Sequence, residues 1–476
     1  MNHATARYLA LFVLASTLTH AQISSFKHII VVFQENRTPD NLFQGLCAAP
    51  HGNSTSCSTK PSSTQYNIQT GNWLDKKSTG GTIKPASTPF VGVFDLGHRH
   101  SSFTNSCDKV NGVCKMDNFA SSTCTGTCPS KPALKYVDYS SGILDPYLDL
   151  ATQYGWANYM FQTNQGPSFP AHQFIFGGTS APSASDDAIA TFDAENIKPE
   201  VSETGAGCTA VTGATVGLIT AQGERGTMFP CFEHETMSDL LDGIGVSWKY
   251  YTPGTNSIWT APNAINHICQ PNAPTGGKCI GPEWTSHVVI GATKILTDIS
   301  NCKLAQVVWS IPRGQDSDHP VGHTGGGPSW VASIVNAIGN NKVCGNGENY
   351  WQNTAIIIAW DDWGGWYDHE PPTFLDGDQG DYQWGFRVPM IVVSAYTNAG
   401  YIDNTRQDFG AILRFIENNF GIEQGALGFS DARSTTNLSQ FFHLNQAPRK
   451  FTTIAAPLDA SHFINDLTPA TDPDDD

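Results

Sequence analysis

Two acidic clusters stand at the ends of runs that read as buried strands. The first, Glu35-Asn36-Arg37, follows the apolar, β-branched run Phe26-Lys27-His28-Ile29-Ile30-Val31-Val32-Phe33. The second, Asp361-Asp362, follows Thr354-Ala355-Ile356-Ile357-Ile358-Ala359-Trp360 and leads into Trp363-Gly364-Gly365-Trp366-Tyr367-Asp368-His369. Asp and Asn after a strand ordinarily shape turns and cap helices, and one cluster alone would mean no more than that. Two such clusters in a parallel sheet face one crevice, because open α/β sheets build their sites beyond the carboxyl ends of the strands. Glu, Asn and Asp oxygens are hard donors that suit Mg²⁺, Ca²⁺ or Mn²⁺ better than zinc. We therefore expect one oxygen-ligated divalent metal ion there. Three carboxylates around it leave the site anionic. A bound anion would then rely on the metal and on nearby imidazolium groups.

A third segment, Gln165-Gly166-Pro167-Ser168-Phe169-Pro170, sets a serine in a tight Gly-Pro turn. A free hydroxyl is a poor nucleophile, and metal coordination is one way to activate it. On local grounds alone Ser168 is an ordinary turn serine. Three of the 15 histidines stand in suggestive settings. His98 and His100 lie in Asp95-Leu96-Gly97-His98-Arg99-His100, and His319 lies in Asp316-Ser317-Asp318-His319-Pro320. A lone histidine is more often a hydrogen-bonded structural residue.

These residues need a scaffold. Patterning predicts helices over 145–154, 236–244, 329–338 and 409–420, and further strands over 247–251, 307–311 and 388–394. Fully apolar strands separated by helices imply an α/β fold, a mostly parallel central sheet with helices on both faces. The 476 residues are enough for one large domain, which we place over 22–470. Residues 45–135 and 181–232 are rich in Ser, Thr and Gly and read as loop-rich insertions, the second with a small hairpin. Residues 471–476 read as a disordered acidic tail.

Arg7, the apolar run to Ala15 and Thr19-His20-Ala21 form an export signal over 1–21, too short to span a membrane. The 12 cysteines are even in number, and export favours disulfides between sequence neighbours: 47–57, 107–114, 124–128, 208–231, 269–279 and 302–344. A zinc site over Cys107 to Cys128 is the rival, with irregular spacing against it. We expect a secreted or periplasmic protein without stable membrane insertion. A formal net charge of -17 disfavours nucleic acid as a partner.

In order along the chain, these segments resemble the bacterial phosphoesterase family that holds phospholipases C and the related acid phosphatases. Glu35-Asn36-Arg37 with Asp40-Asn41-Leu42-Phe43-Gln44-Gly45 matches its opening motif. Leu96-Gly97-His98 matches its first histidine segment, Gly166-Pro167-Ser168 with Pro170 its nucleophile turn, and Ser317-Asp318-His319-Pro320 its Ser-Glu-His-Pro stretch. Trp360-Asp361-Asp362-Trp363-Gly364-Gly365 with Tyr367-Asp368-His369 matches its metal motif. The resemblance implies an alkaline-phosphatase-like fold. It implies one metal on Glu35, Asn36, Ser168, Asp361 and Asp362, attack on phosphorus by Ser168, and phosphate contacts from His98 and His319. One of those histidines would protonate the leaving group.

Departures bear on the substrate. Members commonly read Pro-Asn-Arg after the nucleophile, and this chain has Pro170-Ala171-His172. Phospholipase-type members often carry Thr at the nucleophile and Asp-Glu at the metal pair, so Ser168 with Asp361-Asp362 looks more like the phosphatase branch. We also expect none of the C-terminal β domains that some phospholipases C carry. The expectation is a secreted, acid-phosphatase-like phosphoesterase acting on small phosphate esters. A phospholipase C acting on glycerophospholipids is the alternative. From another class, a non-catalytic binding protein on a hydrolase fold would have lost the nucleophile or metal residues, and none is missing. A zinc hydrolase using His319-Pro320-Val321-Gly322-His323 would need a helix there, which Pro320 and Gly322 oppose.

Overall fold

The computed structural model describes residues 25–199, 205–374 and 382–471. The export signal lies outside the described residues, as does the acidic tail after Thr471.

Eight strands form the central sheet: β1 (His28–Gln34), β2 (Gly155–Ala157), β3 (Trp248–Thr252), β4 (Val288–Ile290), β5 (Val307–Ser310), β6 (Thr354–Trp360), β7 (Met390–Ser394) and β8 (Tyr401–Asp403). Their spatial order is β4-β3-β5-β1-β6-β7-β2-β8. β1 and β6 are buried along their whole length, which is why both read as unbroken apolar runs. β1 lies parallel to β5 on one side and to β6 on the other. The expectation of a parallel strand over 388–394 needs correction. β7 runs antiparallel to both β6 and β2. Burial on both faces gives the same apolar run in either direction, so composition could not tell them apart.

The pleat sends alternate side chains of β1 to opposite faces. Phe33 meets Phe409 and His172 on one face, while Gln34 Nε2 donates to Gly327 O on the other. The helices divide accordingly. The Phe33 face carries Ser168–Gly177 and Phe409–Phe420, and the Gln34 face carries Asp145–Gln153 and Gly327–Gly339. We call these α1 (Asp145–Gln153), α2 (Ser168–Gly177), α3 (Gly327–Gly339) and α4 (Phe409–Phe420).

The insertions are more ordered than their composition suggests. Residues 45–135 contain a helix, His100–Cys107, and short two-stranded ladders. Their apolar side chains gather in a second small core: Trp73, Leu96, Phe103 and Phe119 pack with Trp363, Trp366 and Phe386. The tryptophans that follow Asp361-Asp362 thus anchor this insertion to the sheet. The hairpin expected in 181–232 forms from Val216–Thr220 and Gly223–Met228. All six neighbour disulfides are present. Thr471, placed in the expected tail, is tied by its N–H to Gln315 Oε1. Among the described residues no helix is long and apolar enough to cross a membrane.

Candidate active site

Register places the first half of the site. Gln34 at the end of β1 pairs with Trp360 at the end of β6, so Glu35 and Asp361 leave the sheet side by side. The Asp361 N–H donates to Gln34 O at 2.9 Å. Asn36 then takes φ +61°, a left-handed turn that Asn tolerates better than most residues. That turn aims its N–H at Asp361 Oδ1, 3.0 Å away. On the other strand, Gly364 and Gly365 have φ +57° and +74°. A Cβ on Gly364 would meet Asn36 O at 2.4 Å, and one on Gly365 would meet Leu96 Cβ at 2.5 Å. The Gly-Gly pair is therefore what lets the two loops and the His98 segment close on one another.

Ser168 opens α2. Its neighbour's N–H, on Phe169, is capped by Asn196 Oδ1 at 2.9 Å. The Ser168 hydroxyl donates to Asp362 Oδ2 at 3.1 Å, and the other oxygen of Asp362 accepts the Gly364 N–H at 2.6 Å. The first turn of a ten-residue helix also presents partial positive charge toward the serine. This explains why a serine in a Gly-Pro turn is more than a turn residue here.

The histidines come from two other loops. His98 Nδ1 donates to Leu96 O at 2.8 Å, which leaves Nε2 as the acceptor facing Asn36 Nδ2 at 3.4 Å. His319 lies across from His98, ring centroids 6.4 Å apart. Its loop is locked to β1: the Arg37 Nε–H donates to Asp318 O at 2.9 Å, and the Asp318 N–H donates to Gln34 Oε1 at 3.0 Å. The Asp318 carboxylate points into the core, where Tyr147 OH and Trp360 Nε1 donate to it, and burial pushes its pKa up to about 7. Arg37 is itself buried over the Phe90 and Trp366 rings, and burial lowers its pKa to about 10. His100 turns away to Glu224, Nδ1 to Oε1 at 2.6 Å. His323 bonds Phe90 O from a stretch that forms no helix, and among the described residues neither it nor His319 belongs to a cluster of metal-ligating side chains. The cysteines from 107 to 128 are all in disulfides, which removes the other zinc reading.

Of the seven residues expected from the sequence, hydrogen bonds join Asn36 to Asp361 and to His98, and Ser168 to Asp362, while Glu35 adjoins Asn36 in the chain and His319 stands further off, facing His98. An eighth, His172, was not among them. Its Nε2 lies 3.4 Å from Glu35 Oε1 and 3.8 Å from Asp361 Oδ2, and Trp259 stacks over its ring at 6.4 Å. The available signal was its spacing four residues after Ser168, which puts both on one face of α2.

The electrostatics of this cluster are unfavourable as they stand. Glu35, Asp361 and Asp362 are each fully buried. No donor reaches Glu35 Oε1 or Oε2, Asn36 Oδ1 or Asp361 Oδ2, and neither ring nitrogen of His172 is hydrogen-bonded. Burial, then the charge of Asp361, pushes Glu35 well above the usual carboxylate range, and Asp362 rises for the same two reasons. Burial lowers His172 to about 4, which keeps its imidazole neutral. Buried acceptors without donors, crowded by like charge, are costly unless a cation meets them. The residues present fit a divalent ion: ligand atoms of Glu35, His172 and Asp361 lie within 4.8 Å of one another.

A model of the Phosphoesterase family matches residues 26–423 of the chain. A non-hemolytic phospholipase C of Burkholderia pseudomallei is 26% identical over 230 residues, which cover 39% of this chain and 32% of that protein. Phospholipase C A of Mycobacterium tuberculosis is 26% identical over 220 residues, 40% of each chain. A non-hemolytic phospholipase C of Pseudomonas aeruginosa is 21% identical over 440 residues, 85% of this chain and 55% of the other. The match therefore spans between about a third and about half of these relatives' lengths. A solved structure of a protein in the alkaline phosphatase superfamily from Vibrio parahaemolyticus aligns with a TM-score of 0.33 at 10% identity, covering 60% of this chain and 63% of that one.

Proposed function

The chain belongs to the Phosphoesterase family, and on that footing we propose that it hydrolyses phosphate esters through Ser168 at a site holding one divalent metal ion. Glu35, Asn36, Ser168, Asp361 and Asp362 would hold the ion. The observation that carries this reading is that the Ser168 hydroxyl donates to Asp362, next in the chain to Asp361, and that both Glu35 oxygens, Asn36 Oδ1 and Asp361 Oδ2 are buried acceptors without donors. When bound, the metal supplies Lewis acidity, favouring the serine alkoxide and offsetting charge on the phosphoryl oxygens.

The chain's own groups do the rest. Asp362 accepts the Ser168 hydrogen bond and so aims Oγ; it takes the proton as Oγ attacks and returns it to Oγ when the phosphoserine is hydrolysed. Ser168 Oγ bonds to phosphorus in line with the departing oxygen, and the ester P–O bond breaks. The leaving alkoxide needs a proton. His98 holds Asn36 with its Nε2 lone pair, so His319 is the better donor. Water then attacks the phosphoserine with His319 as base, releasing phosphate and restoring the hydroxyl. His319→Ala should slow alkyl phosphates by about 10²–10⁴-fold. Nitrophenyl phosphate, whose leaving group needs little protonation, should lose far less. Equal losses on both esters would remove His319 from the proton-donor role.

Ser168 is only 2% exposed, so a substrate must present a slim phosphoryl end. That favours small phosphomonoesters. The second reading is phospholipase C activity on glycerophospholipids, favoured by the names of the curated relatives. Phosphate release from small monoesters, measured beside diacylglycerol release from phosphatidylcholine, decides between them. We expect the monoesters to react faster, and a lipid preference of several orders of magnitude would reverse the assignment. Six disulfides and the signal-like residues 1–21 support export to an oxidising compartment.

A further inference from the structure

We propose that His172 is itself a ligand of the metal, so that the centre is a mixed nitrogen–oxygen site rather than an all-oxygen one. This rests on the metal reading above. The argument is geometric. His172 is fully buried, on the face of α2 that carries Ser168. Its Nε2 stands 3.4 Å and 3.8 Å from a Glu35 and an Asp361 oxygen. Yet no hydrogen bond forms: both ring nitrogens, both Glu35 oxygens and Asp361 Oδ2 are without hydrogen-bond partners. A buried imidazole beside two carboxylates would ordinarily turn an N–H toward one of them. Donor atoms that approach to such distances without bonding one another are instead arranged around a common point. Adjacent ligands of an ion with bonds of about 2.1–2.4 Å are separated by roughly 3–3.5 Å, close to the spacings seen.

The ring is also held as a ligand should be. Trp259 stacks over it at 24° between planes, and Phe33 packs at its side, so its edge has little freedom. The helix fixes the rest: Ser168 and His172, four residues apart, project from one face of α2. Imidazole also changes the metal preference. Carboxylates, carbonyls and water suit Mg²⁺, Ca²⁺ and Mn²⁺, whereas an imidazole moves preference toward first-row ions such as Fe²⁺, Ni²⁺ and Zn²⁺. The expectation of a purely oxygen-ligated centre would then be revised.

The test uses Mn²⁺ as a paramagnetic probe bound to the full protein. Pulsed electron paramagnetic resonance of the wild-type complex should show modulation from a directly bonded ¹⁴N nucleus. His172→Gln should lose that modulation and bind Mn²⁺ more weakly, by at least the ~10–100-fold that losing a hydrogen-bond partner of a metal ligand costs. His98→Gln and His319→Gln should keep the nitrogen signal. Bound Mn²⁺ without ¹⁴N coupling in the wild type would overturn the ligand assignment while leaving the metal site intact. A nitrogen signal that survives in a folded His172→Gln protein would overturn it too. No Mn²⁺ bound at all, with Zn²⁺ and Ca²⁺ also failing in calorimetry, would overturn the metal reading and the inference with it.

Discussion

Ser168→Ala should abolish turnover and leave the metal bound. The hydroxyl is the proposed nucleophile, and it is already oriented by Asp362 at 3.1 Å. Removing a nucleophile from an assembled site typically costs about 10⁴–10⁶-fold in kcat, because the remaining groups have nothing to activate. The change itself is small. Ala keeps the backbone of the first turn of α2, and the Phe169 N–H retains its cap on Asn196. Asp362 loses a donor but keeps the Gly364 N–H. Metal content measured by plasma mass spectrometry should stay near the wild-type value, since four of the five proposed oxygen ligands remain. Phosphate release should fall to the detection limit. A near-normal rate in this variant would mean that water attacks phosphorus directly.

Asp361→Asn should weaken metal binding and remove most of the activity. This substitution keeps an oxygen to accept the Asn36 N–H, which Ala would leave orphaned at a cost of about 1–3 kcal/mol. The charge alone is lost. In the metal-free state that loss is favourable, because it relieves repulsion among three buried carboxylates. The metal-free variant should therefore melt no lower than metal-free wild type. The difference appears on adding metal. A ligand at a hundredfold excess over its Kd stabilises the folded state by about 2.7 kcal/mol. If affinity falls about 100-fold, a loss at least as large as removing a ligand's hydrogen-bond partner gives, the same concentration yields about 0.4 kcal/mol. Calorimetric melting with and without metal separates the two cases. A variant that keeps the full metal-dependent rise would place the ion elsewhere.

The same carboxylates set a pH dependence. Glu35 and Asp362 have raised pKa values in the metal-free fold. Their contribution to its stability is present below the ordinary carboxylate range and lost as pH rises through the raised values. Metal binding requires them deprotonated, so affinity falls as the pH is lowered.

Much of this centre was legible in the sequence because its parts sit at chain features that physics marks. Glu35 and Asp361 follow the two longest apolar strands, and burial on both faces is what made those strands readable. Ser168 was marked by the Gly-Pro turn, and the cysteines by their even number and neighbour order. Three things were not legible. The direction of β7 depends on connection rather than on composition. The second core in 45–135 is built from residues as distant as Trp73, Phe103 and Trp363, which no local window joins. His172 needed the helix of α2 and the β1–β6 register together before it met Glu35 and Asp361. Asp318 shows the converse. It stands in the motif beside His319, yet the structure spends it on Tyr147 and Trp360, holding the loop rather than facing the site.

The central claim is a covalent step on one serine. Enzyme turning over a phosphomonoester, quenched in acid and digested for mass spectrometry, should yield a peptide heavier by about 80 Da, the mass of an added phosphoryl group. Fragmentation should place that mass on Ser168, and the signal should vanish in Ser168→Ala. Phosphate on any other residue would contradict the account, as would its absence from Ser168 under quench conditions that preserve a phosphoserine standard.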